Sequence, residues 1–81
     1  MRKTQKDRAN PKVSEIAKVY NRLRDIRTEL TCLEAGIKIN PMLTDFEKSV
    51  LRPGIKASRY MVWSSQRDAH DLIRDIRESE E

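Results

Sequence analysis

Apolar residues recur three and four positions apart through most of this chain, which is the spacing of one face of an α-helix. The strongest such stripe consists of Ile16, Val19, Leu23, Ile26, Leu30, Leu33 and Ile37. Tyr20 widens the stripe on one side. Gly36 is the residue type that often ends a helix in the left-handed conformation, with Ile37 then folding back as its apolar contact. The pattern predicts a first helix over about residues 13–35.

A connector with the sequence Asn40-Pro41 separates this helix from the next predicted one. Thr44 and Glu47 have the spacing of a capping box, so a short helix is predicted over about residues 45–51. Its inward residues would be Phe46, Val50 and Leu51. The tripeptide at 52–54, Arg-Pro-Gly, is predicted to end it.

A long last helix is predicted over about residues 55–78, because the same spacing returns there. Its inward stripe would consist of Ile55, Ser58, Val62, Ser65, Ala69, Leu72 and Ile76, flanked by Met61 and Ile73. The small residues in the middle allow close approach of the large residues of the first helix. We therefore predict an all-α fold, an antiparallel hairpin of two long helices with a short connecting helix, completed by self-association or by a partner.

Composition agrees with a single small domain. The chain has 81 residues, of which 37% are hydrophobic and 37% charged, and so short a chain sits near the limit for a self-sufficient core. No apolar run is long enough to cross a bilayer, and the N-terminus does not resemble a secretory signal. The single cysteine, Cys32, excludes an internal disulfide framework and favours a reducing, cytoplasmic compartment.

Charge is distributed unevenly along the chain. The net charge of +4 equals that of residues 1–12 alone, while residues 68–81 carry two basic and six acidic side chains. We expect residues 1–10 to form a flexible basic arm ahead of the helical domain at 11–81. The candidate phosphate contacts are Arg2, Lys3, Lys6, Arg8 and Lys12. The simpler alternative is a solubilising tail that pairs with the acidic end of the last helix.

One face of the last helix combines basic and aromatic residues, which are the usual anchors of interfaces. The predicted partner-binding residues are Lys56, Arg59, Tyr60, Trp63, Arg67 and Arg74. Such a face also suits single-stranded nucleic acid. In the alternative interpretation, Trp63 packs under the short helix or the connector, and the arginines are solvated and form ordinary pairs with acidic residues four positions later.

No residue constellation indicates catalysis or metal binding. The sequence lacks a phosphate-binding glycine loop and known hydrolase motifs, His70 and Cys32 lack partners at useful spacing, and Asp68, Asp71 and Asp75 favour a solvated acidic face over a cation site. We expect no cofactor, small-molecule substrate or membrane. The sequence predicts a non-enzymatic helical interaction module, an accessory protein, inhibitor or small assembly subunit of the phage type, that binds a larger protein through an amphipathic helix face. The alternative is a nucleic-acid-associated protein that uses the basic arm and the Arg/Trp stripe.

Overall fold

A computed structural model describes residues 10–80 as two long helices joined by a tight turn. The first helix, α1, spans Pro11–Ile39, and the second, α2, spans Asp45–Ser79. The described part of the chain contains no strand, so the predicted all-α class is confirmed. Of the predicted basic arm, only Asn10 lies within the described residues.

Helix α1 begins where the sequence predicts but continues past Gly36. The Asn10 side chain accepts a hydrogen bond from the Lys12 amide at 3.0 Å, and Pro11 occupies the first turn, where its missing amide costs nothing. The predicted glycine cap is wrong, because neither glycine has a positive φ. The helix ends instead at Ile39, with Asn40 as its extended C-cap residue, because Pro41 disfavours helical conformation at the residue before it.

Helix α2 begins with the predicted capping box but does not stop at Pro53. Thr44 Oγ1 accepts from the Glu47 amide at 3.1 Å, and Glu47 Oε1 accepts from the Thr44 amide at 2.9 Å. The predicted break into a short and a long helix is wrong, because Pro53 lies inside one continuous helix of 35 residues. Arg52 and Arg59 pair with the same α1 carboxylate, that of Glu34, so both sides of the proline are anchored to α1.

The two helices pack side by side and antiparallel, as the sequence predicts. Asn10 donates to Glu80 at the open end, Tyr20 lies against His70, and Arg27 donates to Gln66 at 3.3 Å. The pair is 58 Å long and only 17 by 14 Å across. The acidic end of α2 therefore lies beside the start of α1.

The helix faces in contact differ from the predicted stripes. Arg59, Gln66 and Ile73 of α2 turn toward α1, in place of the predicted Ser58, Ser65 and Leu72. On α1, the predicted inward residues Val19 and Leu33 are 53% and 52% exposed. The predicted stripes are therefore correct in part: Leu23, Leu30, Val62 and Ala69 lie between the helices, whereas the alternate positions of the contact face are displaced by one residue. The ion pair of Arg59 with Glu34 and the hydrogen bond of Arg27 with Gln66 bring polar residues into the contact face, and apolar spacing does not predict them.

The interior of this hairpin is small. Among the described residues only Val13, Ala69 and Gln66 are buried, and no large side chain is completely enclosed. Leu23 and Leu30 are half-buried between the helices. Two helices can cover only one side of each other, so much apolar surface stays exposed along the hairpin.

Candidate functional site

One side of the hairpin carries a shallow groove rich in arginine, which we call the arginine groove. It consists of two adjoining hollows of about 400 and 250 Å³ that share Arg27 and Gln66. The lining side chains are Tyr20, Arg24, Arg27, Thr28, Thr31, Cys32, Trp63, Gln66, Arg67 and His70. Both helices contribute, so the groove exists only because the hairpin forms.

Trp63 is the largest ring in the arginine groove. The Arg67 guanidinium lies over it, 5.0 Å from the ring centroid, and the Tyr60 ring lies 5.8 Å away on the preceding turn. Trp63 remains 37% exposed and Tyr60 67% exposed. Within the described residues no separate short helix exists to cover Trp63, and its two ring contacts are with Tyr60 and Arg67 of its own helix rather than with the connector.

The electrostatic character of the groove follows from its lining, which includes three arginines and no carboxylate. Arg27 donates to the neutral Gln66 amide, and Arg67 lies on a neutral ring. The carboxylate nearest to Arg24 is that of Asp25, at 3.9 Å and well exposed. Arginine presents several donors in a planar fork, so three of them in one groove favour an anionic ligand.

Three of the six predicted partner-binding residues lie together, and the other three lie at separate places. Tyr60, Trp63 and Arg67 lie together at the arginine groove. Arg59 turns inward instead, and its Nη1 atom lies 2.6 Å from Glu34 Oε1. Arg74 lies farther along α2 beside Asp71 and Asp75, at 3.8 and 3.7 Å, and Lys56 lines a separate hollow with Glu34 and Arg52.

Sequence reasoning missed the contribution of α1 to this site. Arg24, Arg27 and Tyr20 were assigned no binding role, and Gln66 was not singled out. The antiparallel register supplies the missing signal, because facing pairs such as Tyr20–His70 and Arg27–Gln66 have numbers summing to about 90. This sum places Arg24 and Arg27 beside Trp63 and Gln66.

The opposite side of the hairpin is apolar, and we call it the apolar side. Helical geometry places Val19, Ile26 and Leu33 of α1 there, in line with Leu72, Ser65 and Ser58 of α2. Met61 lies next to this row and is 68% exposed, while Leu72 is 49% exposed. At the turn end of the hairpin, Phe46 and Val50 continue the apolar surface with exposures of 75% and 60%.

Cys32 and His70 both line the arginine groove, but they lie too far apart to act together. Cys32 is exposed, and it lies about 18 Å along α1 from Tyr20, the ring against which His70 rests. Within the described residues, no cluster of three metal-ligating side chains occurs. Lys12 is exposed at the start of α1, while Arg2, Lys3, Lys6 and Arg8 lie outside the described residues.

Comparison with known proteins adds no relative. The chain matches no family model, and neither a curated protein nor a solved structure shows significant similarity to it. Within residues 10–80, neither helix has an apolar stretch of the length and hydropathy that crossing a membrane requires.

Proposed function

We propose that this chain is a non-enzymatic helical interaction module that binds a larger protein through the arginine groove. The observation that carries the proposal is the position of Trp63 between Tyr60 and Arg67, in a groove with three arginines and no carboxylate. Tryptophan, tyrosine and arginine are the residue types that most often dominate binding energy at interfaces. An acidic segment with an apolar side chain would complement both the charge and the ring.

A protein ligand is favoured over nucleic acid by the charge around the groove. Residues 10–80 carry 13 basic and 11 acidic side chains, a net charge of only +2. Asp71 and Asp75 follow the groove along α2, where they would repel an extended phosphate backbone. Binding to phosphates requires a continuous basic path, whereas a short acidic peptide needs only the groove itself.

Nucleic acid remains the second candidate function, because an exposed ring beside arginines also suits base stacking. The two candidates differ in their response to salt. Phosphate binding that releases several counterions weakens by about 10³-fold or more between roughly 50 and 200 mM salt. Binding of an acidic peptide that also buries Trp63 should weaken much less, since part of its free energy is apolar.

The test compares Trp63→Ala with Met61→Ala in affinity capture from extract treated with nuclease. Both residues lie on α2, but Met61 is on the apolar side. We expect one protein to be retained by wild type and Met61→Ala and lost with Trp63→Ala, corresponding to a loss of at least about 2 kcal/mol. Equal retention by all three chains would contradict the proposal, and a ligand lost only on nuclease treatment would favour the nucleic-acid alternative.

A further inference from the structure

We propose that the apolar side binds a second copy of this chain, with a two-fold axis parallel to the helices, to form a four-helix bundle. This inference is independent of the proposed function, because the arginine groove lies on the opposite side of the hairpin and stays open. Each α1 would then pack on its own α2 and on the α2 of the other copy. Four observations select this occupant and this arrangement.

The first observation is the area available. A face of 58 by 17 Å measures about 1,000 Å², and a standard stable interface buries about 800 Å² on each partner. The hairpin buries only three described residues, so its own core is far from complete. A second identical hairpin has the length and width needed to cover the whole face.

The second observation is complementarity of size across the proposed axis. A two-fold axis parallel to the helices places α1 against the partner copy's α2 at the same height. The large Ile26 and Leu33 then face the small Ser65 and Ser58 of the other copy. An axis perpendicular to the helices would instead pair α1 with α1, large residue against large, and serine against serine. Alternation of large and small residues packs better.

The third observation is charge at the edge of the apolar side. Arg22 lies three residues after Val19 and four before Ile26, so it borders the row of apolar residues that α1 contributes to the apolar side. Asp68 borders the row on α2 in the same manner, three residues after Ser65 and four before Leu72. Their numbers sum to 90, the value for residues at equal height. The parallel axis therefore brings Arg22 of each copy to Asp68 of the other.

The fourth observation is the apolar turn end. Ile39, Met42 and Phe46 are 78%, 86% and 75% exposed, and Phe46 and Val50 line one apolar hollow of about 260 Å³. The parallel axis brings the turn ends of both copies together, so these residues gain apolar neighbours. The perpendicular axis would place each turn end against the polar termini, beside Asn10 and Glu80.

Sedimentation equilibrium of the full chain tests the proposal, across roughly 1–100 µM, where interfaces of this size and modest quality dissociate. We expect a monomer–dimer equilibrium for wild type. Leu33→Asp should raise the dimer Kd by about 100-fold or more, because it buries an unpaired charge. Thr28→Asp is the matched control, since it places the same side chain on the same helix at the arginine groove. It should change the Kd by less than about threefold.

A charge-reversal cycle tests the arrangement without removing any apolar residue. Arg22→Glu and Asp68→Arg should each raise the dimer Kd by about tenfold, and the double variant should return it to near the wild-type value. A perpendicular axis would place Arg22 against Glu29 of the other copy, so Asp68→Arg would not rescue Arg22→Glu.

Three results would overturn the inference. The first is a wild-type monomer with full helical signal at about 100 µM. The second is equal loss of the dimer with Thr28→Asp and Leu33→Asp. The third is the absence of rescue in the charge-reversal cycle. If Leu33→Asp fails to fold, the cycle still decides, because its variants retain every apolar residue of the interface.

Discussion

On one side of the hairpin Trp63 rests against Tyr60 and Arg67, whereas on the other side Met61 and Leu72 stand among aliphatic residues and serines. Both sides expose large side chains, but only the first presents arginines able to orient an anionic ligand. The apolar side offers apolar area with charge only at its edges, which suits a long partner of matching shape. Exposed hydrophobicity alone therefore does not identify the binding site, and the surrounding charge separates the two roles.

The largest effect on the free energy of unfolding is expected from a comparison of two leucines of α1, which lie on different sides of the helix. Leu30 is half-buried against α2, while Leu33 is 52% exposed on the apolar side. Leu30→Ala should destabilise the chain by about 2–5 kcal/mol at every concentration. Leu33→Ala should cost less than about 1 kcal/mol in the dilute monomer and more at high protein concentration, where the dimer covers it.

Urea denaturation at two protein concentrations measures the stability of both leucine variants. The slope m should stay near its wild-type value for both variants, so that midpoints can be compared. Equal destabilisation by both variants in the dilute chain would mean that Leu33 packs within the hairpin. The distinction between buried and apolar sides would then fail.

A smaller effect on stability is expected from substitution of Glu34. Its ion pairs with α2 help to set how that helix is rotated about its own axis. This carboxylate is 12% exposed and lies 2.6 Å from Arg59 and 3.7 Å from Arg52. Glu34→Gln should destabilise the fold by about 1.5–3 kcal/mol, because hydrogen bonds to charged groups contribute about that much. Glu15→Gln is the matched control, since its pair with Lys18 is fully on the surface and should contribute about 0–1 kcal/mol. Thermal unfolding with indistinguishable midpoints for the two variants would contradict the role given to Glu34.

The existence of two paired helices could be predicted from the sequence. The rotation of each helix about its own axis, which decides the side chains that face the other helix, was predicted less well. Asn10-Pro11 and the Thr44–Glu47 box set the helix starts by local rules that tertiary structure rarely overrides. The rotation depends on Arg59 reaching Glu34 and on Gln66 accepting from Arg27, contacts between residues 25 and 39 positions apart. The spacing of apolar residues does not reveal such pairs, so it predicted that Ser58 and Ser65 face α1 instead.

The continuity of α2 through Pro53 has the same physical origin. Local rules assign the Arg-Pro-Gly tripeptide to a turn, because proline costs about 3 kcal/mol in a helix interior. Two ion pairs to Glu34, one on each side of Pro53, help hold the helix on α1. The groove residues of α2 were recognised from their spacing, whereas those of α1 required the register of the hairpin.

The smallest effect on stability is expected for Trp63. Its aromatic and cation–π contacts are with Tyr60 and Arg67 of its own helix, and it is 37% exposed at the edge of the groove. Trp63→Ala should therefore destabilise the fold by about 1 kcal/mol or less, well below Leu30→Ala. Chemical denaturation followed by circular dichroism measures both. A loss comparable with Leu30→Ala would place the ring in the interior and remove it from the binding face.

Iodide quenching of Trp63 fluorescence, measured across the concentration range of dimer formation, tests the separation of the two sides most directly. Trp63 is the only tryptophan, so the signal reports the arginine groove alone. We predict that quenching stays constant while sedimentation shows the dimer forming, because the second copy covers the apolar side. Protection of Trp63 from iodide, with a blue-shifted emission that rises with dimer fraction, would contradict the account and make the arginine groove the dimer interface.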